Sequence, residues 1–406
     1  MIVAHLTYDT HSLWACSFTS RSWYSAAVPH LHHTLTAKTP HYPYEVGNKK
    51  TRWPKPLRMA SKFGFLPFIT RVIISGSYRY GRDLSATELD GQTQREFSAL
   101  VNVRELSIEQ LDIPSFFPRI QQYFGQFSPT LRSLTLTRVV GSSRQVVFFL
   151  GLFPHLEDFE LQNSWCYDKW DAGNDKTLIP SFVPPLRGQL TVQCSVDGIG
   201  KTMLDLFGEV RFHHMDLREN GIQSLLYACP NTLETLKLDV SDICGENPSS
   251  KVMQTLANDS TGGDSHRDLD LSRNRSLREL EITARSLISE LRSRTPATPP
   301  SSFKAMLSTI RSPAFLDVVV IYRQGDFYHN AYSRDERAEL GDEETWYRRQ
   351  FEVFHAMREA RPYRLVLSAK RVGDDSVREL RRAVAADQAR GGVPLQITMS
   401  YTLRPC

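Results

Sequence analysis

The sequence predicts an α/β chain: a short N-terminal helical segment, then an irregular solenoid with inner parallel strands and outer helices. Three observations lead there. The first 36 residues hold short apolar-faced runs joined by tight polar breaks. Further on, an apolar spacing h-x-x-h-x-h recurs seven times. Between the recurrences lie segments with apolar residues three or four apart, several of them closed by proline.

The N-terminal runs are Met1–Leu6, Leu13–Trp23 and Ser25–His33, separated first by Thr7-Tyr8-Asp9-Thr10-His11-Ser12. A helical unit this small cannot bury its own apolar surface, so it needs either a partner or the rest of the chain. The run Leu13-Trp14-Ala15-Cys16-Ser17-Phe18-Thr19-Ser20-Arg21-Ser22-Trp23 strongly resembles the second and third helices of F-boxes in fungal proteins. Ile2, Val3 and Leu6 match the tail of the first F-box helix, and Asp9 and Leu13 the start of the second. The family's usual Leu-Pro-acidic opening is missing before Ile2, so the first helix is expected to be incomplete. The resemblance covers under a tenth of the chain. It implies docking on the small adaptor subunit of a cullin–RING ubiquitin ligase through Ile2, Val3, Leu6, Leu13, Cys16, Phe18, Arg21 and Trp23.

The recurring spacing falls at Val103/Leu106/Ile108, Leu131/Leu134/Leu136, Leu156/Phe159/Leu161 and Phe212/Met215/Leu217. It returns at Leu233/Leu236/Leu238, Leu277/Leu280/Ile282 and Phe315/Val318/Val320. Successive starts are 28, 25, 56, 21, 44 and 38 residues apart, and 20–30 is the period of a leucine-rich repeat. The gap of 56 has room for a further unit near Leu190/Val192. The last two apolar positions lie two apart, so a short strand points both at one face. Helices are expected over Phe116–Phe127, Gln145–Phe153, Thr202–Phe207, Ile222–Ala228, Phe303–Ile310 and Trp346–Arg358. Pro129, Pro154, Pro230, Pro313 and Pro362 stop them and favour an extended lead-in to the next strand. Strand–helix units repeated in this way stack into a solenoid. The ladder asparagine of regular repeats is mostly missing, which resembles the divergent leucine-rich regions behind fungal F-boxes.

The expected organisation is therefore 1–37 as F-box-like helices, 38–60 as a basic proline-rich linker and 61–406 as the repeat region. A polar insertion near 242–275 and a Pro/Ser/Thr loop at 294–302 interrupt the repeats. Arg323–Glu344 reads as a charged surface loop. Residues 38–82 carry ten Lys and Arg against Glu45 alone, with Tyr42, Tyr44 and Trp53 interleaved. The charges are too spaced for a tight cluster, and a solvated linker is the reading preferred over a nucleic-acid site.

With 41% hydrophobic and 23% charged residues, the composition is that of an ordinary globular chain. No run of 18 apolar residues offers a membrane span. The six cysteines are scattered without a CxxC pair, so reduced thiols and a cytoplasmic or nuclear location are expected. The sequons at Asn258 and Asn274 are then coincidental.

Gly198-Ile199-Gly200-Lys201-Thr202 follows an apolar strand, as a phosphate-binding loop would, but Ser195 stands where the first glycine is needed. His30/His32/His33 and His213-His214 lack further ligands at metal-site spacing. Asp374-Asp375 and Glu343-Glu344 read as solvated surface acids. No nucleophile elbow, zinc-protease or kinase signature is present. No catalytic residue, cofactor or metal is expected. The resemblance implies a substrate-recognition subunit, with the adaptor, the cullin behind it and a target protein as partners. The alternative is a leucine-rich interaction scaffold with a vestigial F-box and no ligase role.

Overall fold

Each of the seven apolar spacings forms a strand that contains its last two apolar residues. In six of the seven they alternate with polar residues, so one face of the strand is apolar and the other wet; in the seventh Val319 lies between Val318 and Val320. The computed structural model describes residues 9–38, 55–75, 91–110, 113, 124–162, 164–166, 180–193, 199–207, 210–217, 222–238, 270–283, 302–322, 343–360, 363–370, 374–390 and 396–400. The chain divides into two units, Met1–Val210 and Arg211–Cys406.

The first unit opens with helices α1 (Thr10–Ser17) and α2 (Arg21–Leu31), then β1 (Thr34–Lys38), α3 (Lys55–Lys62), β2 (Arg71–Ser75), α4 (Gly91–Ser98) and β3 (Glu105–Glu109). It continues with β4 (Ser133–Thr137), β5 (Val140–Gly141), α5 (Ser143–Leu150), β6 (Asp158–Gln162), β7 (Trp165–Cys166), β8 (Gln189–Gln193) and α6 (Ile199–Phe207). Strands β1, β2, β3, β4, β6 and β8 are neighbours in that order, all parallel; β5 and β7 pair separately. The register aligns Leu35, Val72, Leu106, Leu134, Phe159 and Leu190 in one row, and every member is buried. A second buried row runs through Ile74, Ile108, Leu136, Leu161 and Val192. Apart from Ile73, the opposite strand positions are polar or charged, as Glu105-x-Ser107-x-Glu109 shows.

Successive units are tied at the same place each time. The N–H groups of Thr70 and Arg71 share the His33 carbonyl, those of Arg104 and Glu105 share that of Thr70, and those of Arg132 and Ser133 share that of Arg104. Side chains one residue before the first apolar position add a bond to the preceding unit. Asn102 Nδ2 donates to Pro67 O at 2.7 Å and Thr130 Oγ1 to Val103 O at 2.7 Å. These bonds satisfy carbonyls that a buried connection would otherwise strand. Helix α5 is fixed by a capping box in which the Ser142 and Gln145 side chains each accept from the other's backbone N–H.

The second unit repeats the design with β9 (His214–Leu217), α7 (Ile222–Ala228), β10 (Thr235–Leu238), β11 (Glu279–Thr283), α8 (Ser302–Thr309), β12 (Asp317–Tyr322), α9 (Glu343–Ala360), β13 (Arg364–Lys370), α10 (Asp374–Ala389) and β14 (Gln396–Ser400). Its six strands are parallel and ordered as in sequence. Met215, Leu236, Leu280, Val318 and Leu365 share one buried row. The shared carbonyl recurs at His213, Glu234 and Arg278. Asn274 is fully buried, and its Nδ2 donates to Leu226 O (2.8 Å) and Cys229 O (3.1 Å), closing the end of α7. Its sequon nitrogen is thus occupied inside the fold.

Several expectations shift. The boundary near residue 37 falls inside β1, because Thr34–Lys38 pairs along its length with Arg71–Ser75. The expected 38–60 linker has described residues at Lys38, which is strand, and from 55 on, where α3 begins; the rest of it lies outside the described residues. Residues 270–275, assigned to the insertion, are ordered against α7 and α8: Leu271 N donates to Thr309 Oγ1 at 2.8 Å. The rest of that insertion, the loop 294–301 and Arg323–Asp342 lie outside the described residues. Helix α9 starts at Glu343, and Asp374 and Asp375 form the first turn of α10, where carboxylates suit the helix dipole. Of the expected Phe116–Phe127 helix, the described part is a single 3₁₀ turn at Gly125–Phe127 preceded by Phe124.

Candidate protein-docking site

The N-terminal hairpin is built by its polar residues before any packing. Asp9 caps α1 by accepting from Ser12 N and Ser12 Oγ, and these bonds hold its carboxyl below the usual carboxylate range. Ser20 caps α2 by accepting from Trp23 N at 3.3 Å. Ser17 and Thr19 hydroxyls close the end of α1 on the carbonyls of Trp14 and Cys16. Only a small core then forms between the two helices: Leu13 and Ala27, both fully buried, with Leu31 packed on them.

That economy leaves the larger apolar side chains outside. Phe18 is 81% exposed, Trp14 47% and Trp23 36%, and Tyr24 is exposed beside it. The rings are ordered against one another. Phe18 stacks on Trp14 at 6.0 Å, Trp14 meets His32 edge-on at 6.2 Å, and His32 lies face to face with Phe65 at 3.9 Å. Phe65 stacks in turn on Phe63 at 5.9 Å, and Lys62 Nζ sits 5.8 Å from the Phe63 ring centre. The result is an aromatic ledge running from α1 past the end of α2 to the turn after α3. An ordered apolar patch of this kind on a chain surface marks an interaction site.

A depression of about 510 Å³ opens at the end of α2. It is lined by Pro29, His30 and His33, by Pro67 and Phe68, and by Thr70, Asn102 and Arg104 at the starts of β2 and β3. His33 Nδ1 is bonded to His30 O at 2.5 Å, which leaves Nε2 for another partner. No carboxylate is among the lining residues, and the Arg104 guanidinium makes no ion pair among the described residues.

The structure therefore places the sequence-derived docking residues in two classes. Phe18, Arg21 and Trp23 are exposed and Cys16 is partly exposed, whereas Leu13 is consumed by the hairpin's own core. Trp23 is not part of that core and is 36% exposed. Ile2, Val3 and Leu6 lie outside the described residues. Trp14, Tyr24, Phe63 and Phe65 are additions from the structure. The Phe63-Gly64-Phe65 step directly after the basic end of α3 was the one signal in the sequence for them; Gly64 has φ +72°, which turns the chain there.

Other sequence candidates resolve into structural roles. Gly200, Lys201 and Thr202 fall in the first turn of α6, which begins at Ile199. The His213 carbonyl accepts from Glu234 and Thr235. Among the described residues no three His, Cys, Asp or Glu groups are placed to hold a metal ion, and no helix is long and apolar enough to cross a membrane. Cys16 and Cys229 carry free thiols. No family model matches the chain, and comparison with curated proteins finds no match.

Proposed function

We propose that this chain is a substrate-recognition subunit of an SCF-type cullin–RING ubiquitin ligase. The observation that carries the reading is the hairpin itself: two capped helices with a minimal core that turn Trp14, Phe18, Trp23 and Tyr24 outward. Apolar side chains of this size stay in water at a cost unless a partner covers them. In this reading the adaptor subunit covers them and the cullin follows. The strand–helix units behind the hairpin form an irregular leucine-rich-repeat-like solenoid that holds a target protein through its polar strand positions. The recurring shared carbonyl at the strand starts and the in-register apolar rows support a repeat architecture. The chain performs no bond chemistry. It converts a bimolecular encounter between target and ubiquitin-loaded enzyme into a local one. Such work belongs in the cytoplasm or nucleus.

The test is a pull-down of the full chain with the purified adaptor and cullin, run beside Trp23→Ala and Phe18→Ala. Recovery of both subunits by the wild type and their loss with Trp23→Ala supports the reading. Equal recovery by all three proteins, or by none, sinks it.

A further inference from the structure

The aromatic ledge does not end with the hairpin. Its second half, Phe65 and Phe63, belongs to the turn after α3, and Met59 on α3 is also exposed. The depression adjoins the ledge along both chain segments: His33 follows the ledge residue His32, and Pro67 and Phe68 lie two and three residues after Phe65. The surrounding charge leans positive. Residues 9–38 and 55–75 together carry six Lys and Arg and one acid, Asp9, whose carboxylate is committed to Ser12. Residues 91–110 add Arg95 and Arg104 against Glu96, Glu105 and Glu109, and Glu105 pairs with Arg71 at 3.5 Å.

We infer that ledge and depression form one composite docking surface for an acidic protein face, with large apolar partner residues covering the rings and a partner carboxylate entering beside Arg104, His33 and His30. The inference rests on the adaptor reading. It adds the chemistry of the partner face and extends the contact to residues outside the F-box-like segment.

Two features favour a protein over a single-stranded nucleic acid. The rings already stack on each other, Phe18 on Trp14 and Phe65 on both His32 and Phe63, so part of the stacking surface is taken within the chain. Bases need free ring faces to stack upon. The depression is walled by Pro29, Pro67 and Phe68. That apolar wall suits the stem of an acidic side chain better than a hydrated sugar–phosphate track. Arg104 on its lining carries a guanidinium whose paired N–H donors match a carboxylate.

The experiment measures binding of the full chain to the purified adaptor by calorimetry for wild type, Trp23→Ala, Phe63→Ala and Arg104→Glu. Phe63 and Arg104 are exposed, so melting temperatures are expected to match wild type. The expected result is affinity weakened about fivefold or more by Phe63→Ala and about tenfold or more by Arg104→Glu, with wild-type binding itself weakening as salt is raised. If Trp23→Ala abolishes binding while Phe63→Ala and Arg104→Glu leave it unchanged, the composite surface is wrong and the adaptor reading stands. If the wild type does not bind the adaptor, both fall. Binding of a labelled oligouridylate that Arg104→Glu abolishes would replace the protein partner with RNA.

Discussion

The rings of His32 and Phe65 lie face to face, 3.9 Å apart and within 9° of parallel, and they join the N-terminal hairpin to the turn that leads into β2. His32 is the residue that ends α2, and it stands three before Leu35 in the same relation that Val103 bears to Leu106. It therefore occupies the first apolar position of a repeat. A histidine there is compatible with packing as long as it is neutral. Burial pushes its pKa below the ordinary value.

This contact has a pH signature. The folded state binds the His32 proton less readily than the unfolded state. The stabilisation from neutral His32 is thus complete above about pH 6.5 and is lost as pH falls below that value. Amide protection factors in α1 and α2, taken relative to the intrinsic exchange rate at each pH, should fall between pH 7 and pH 5. His32→Phe keeps the stack, removes the titration and should flatten that dependence. An unchanged slope in His32→Phe would assign the effect to another group.

The hairpin's own stability resides in Leu13. Leu13→Ala empties a fully buried site and should cost roughly 2–4 kcal/mol of local stability, seen as lost exchange protection in α1 and α2. Phe18→Ala removes a larger side chain from water-facing surface and should change stability by no more than about 0.5 kcal/mol. Leu13→Asp consequently tests the fold of the hairpin and not its docking, and Phe18 and Trp23 are the residues that separate the two.

Asn274 predicts a defect beyond the loop that carries it. Asn274→Ala removes two donors from the carbonyls of Leu226 and Cys229 in a buried place, at a cost of about 2 kcal/mol. Exchange should quicken at the end of α7 as well as in β11. A change confined to residues 270–283 would mean that the side chain does not tie the two elements together.

Tyr347 governs the alkaline limit of the second unit. Burial raises its pKa well above the ordinary tyrosine value, and the neighbouring Glu379 carboxylate adds to the rise. The neutral phenol is the folded form, so its contribution is fully present below about pH 10 and is lost as pH rises beyond it. Tyrosinate absorbance should include a phenol, that of Tyr347, which ionises only with unfolding. Tyr347→Phe should lose that late-titrating phenol and show a weaker loss of stability above pH 10.

The strands were the most legible part of the chain. Leu134 and Leu136, or Leu236 and Leu238, announce themselves because the side-chain period of a strand is two and both must face the core. Helix α7, expected over Ile222–Ala228, has those ends in the structure. Strands β1 and β2 were missed as members of the same array. In β1 the first apolar position is His32, and β2 lies within the basic stretch 38–82 that reads as solvated. Helix α4 was missed because its eight residues offer one apolar anchor, Phe97, which is buried nonetheless. Helix α10 carries Val377, Leu380 and Val384 at helical spacing, and its paired acids drew the reading toward surface chemistry instead.

By itself the sequence determined the alternation of strand and helix and the buried apolar pairs of the seven spaced strands. Both depend on residues near one another along the chain. Only the tertiary structure decided which apolar residues of the hairpin are left outside. Leu13 and Trp14 are adjacent and both apolar, yet one is buried and the other exposed, because Ala27 and Leu31 meet α1 on a single side. Tertiary packing likewise carried the ring stack from Trp14 through His32 to Phe63, across more than thirty residues of intervening sequence. A helix of eight residues has room for one packed face. Which face that is depends on what lies across from it, and local sequence does not contain that information.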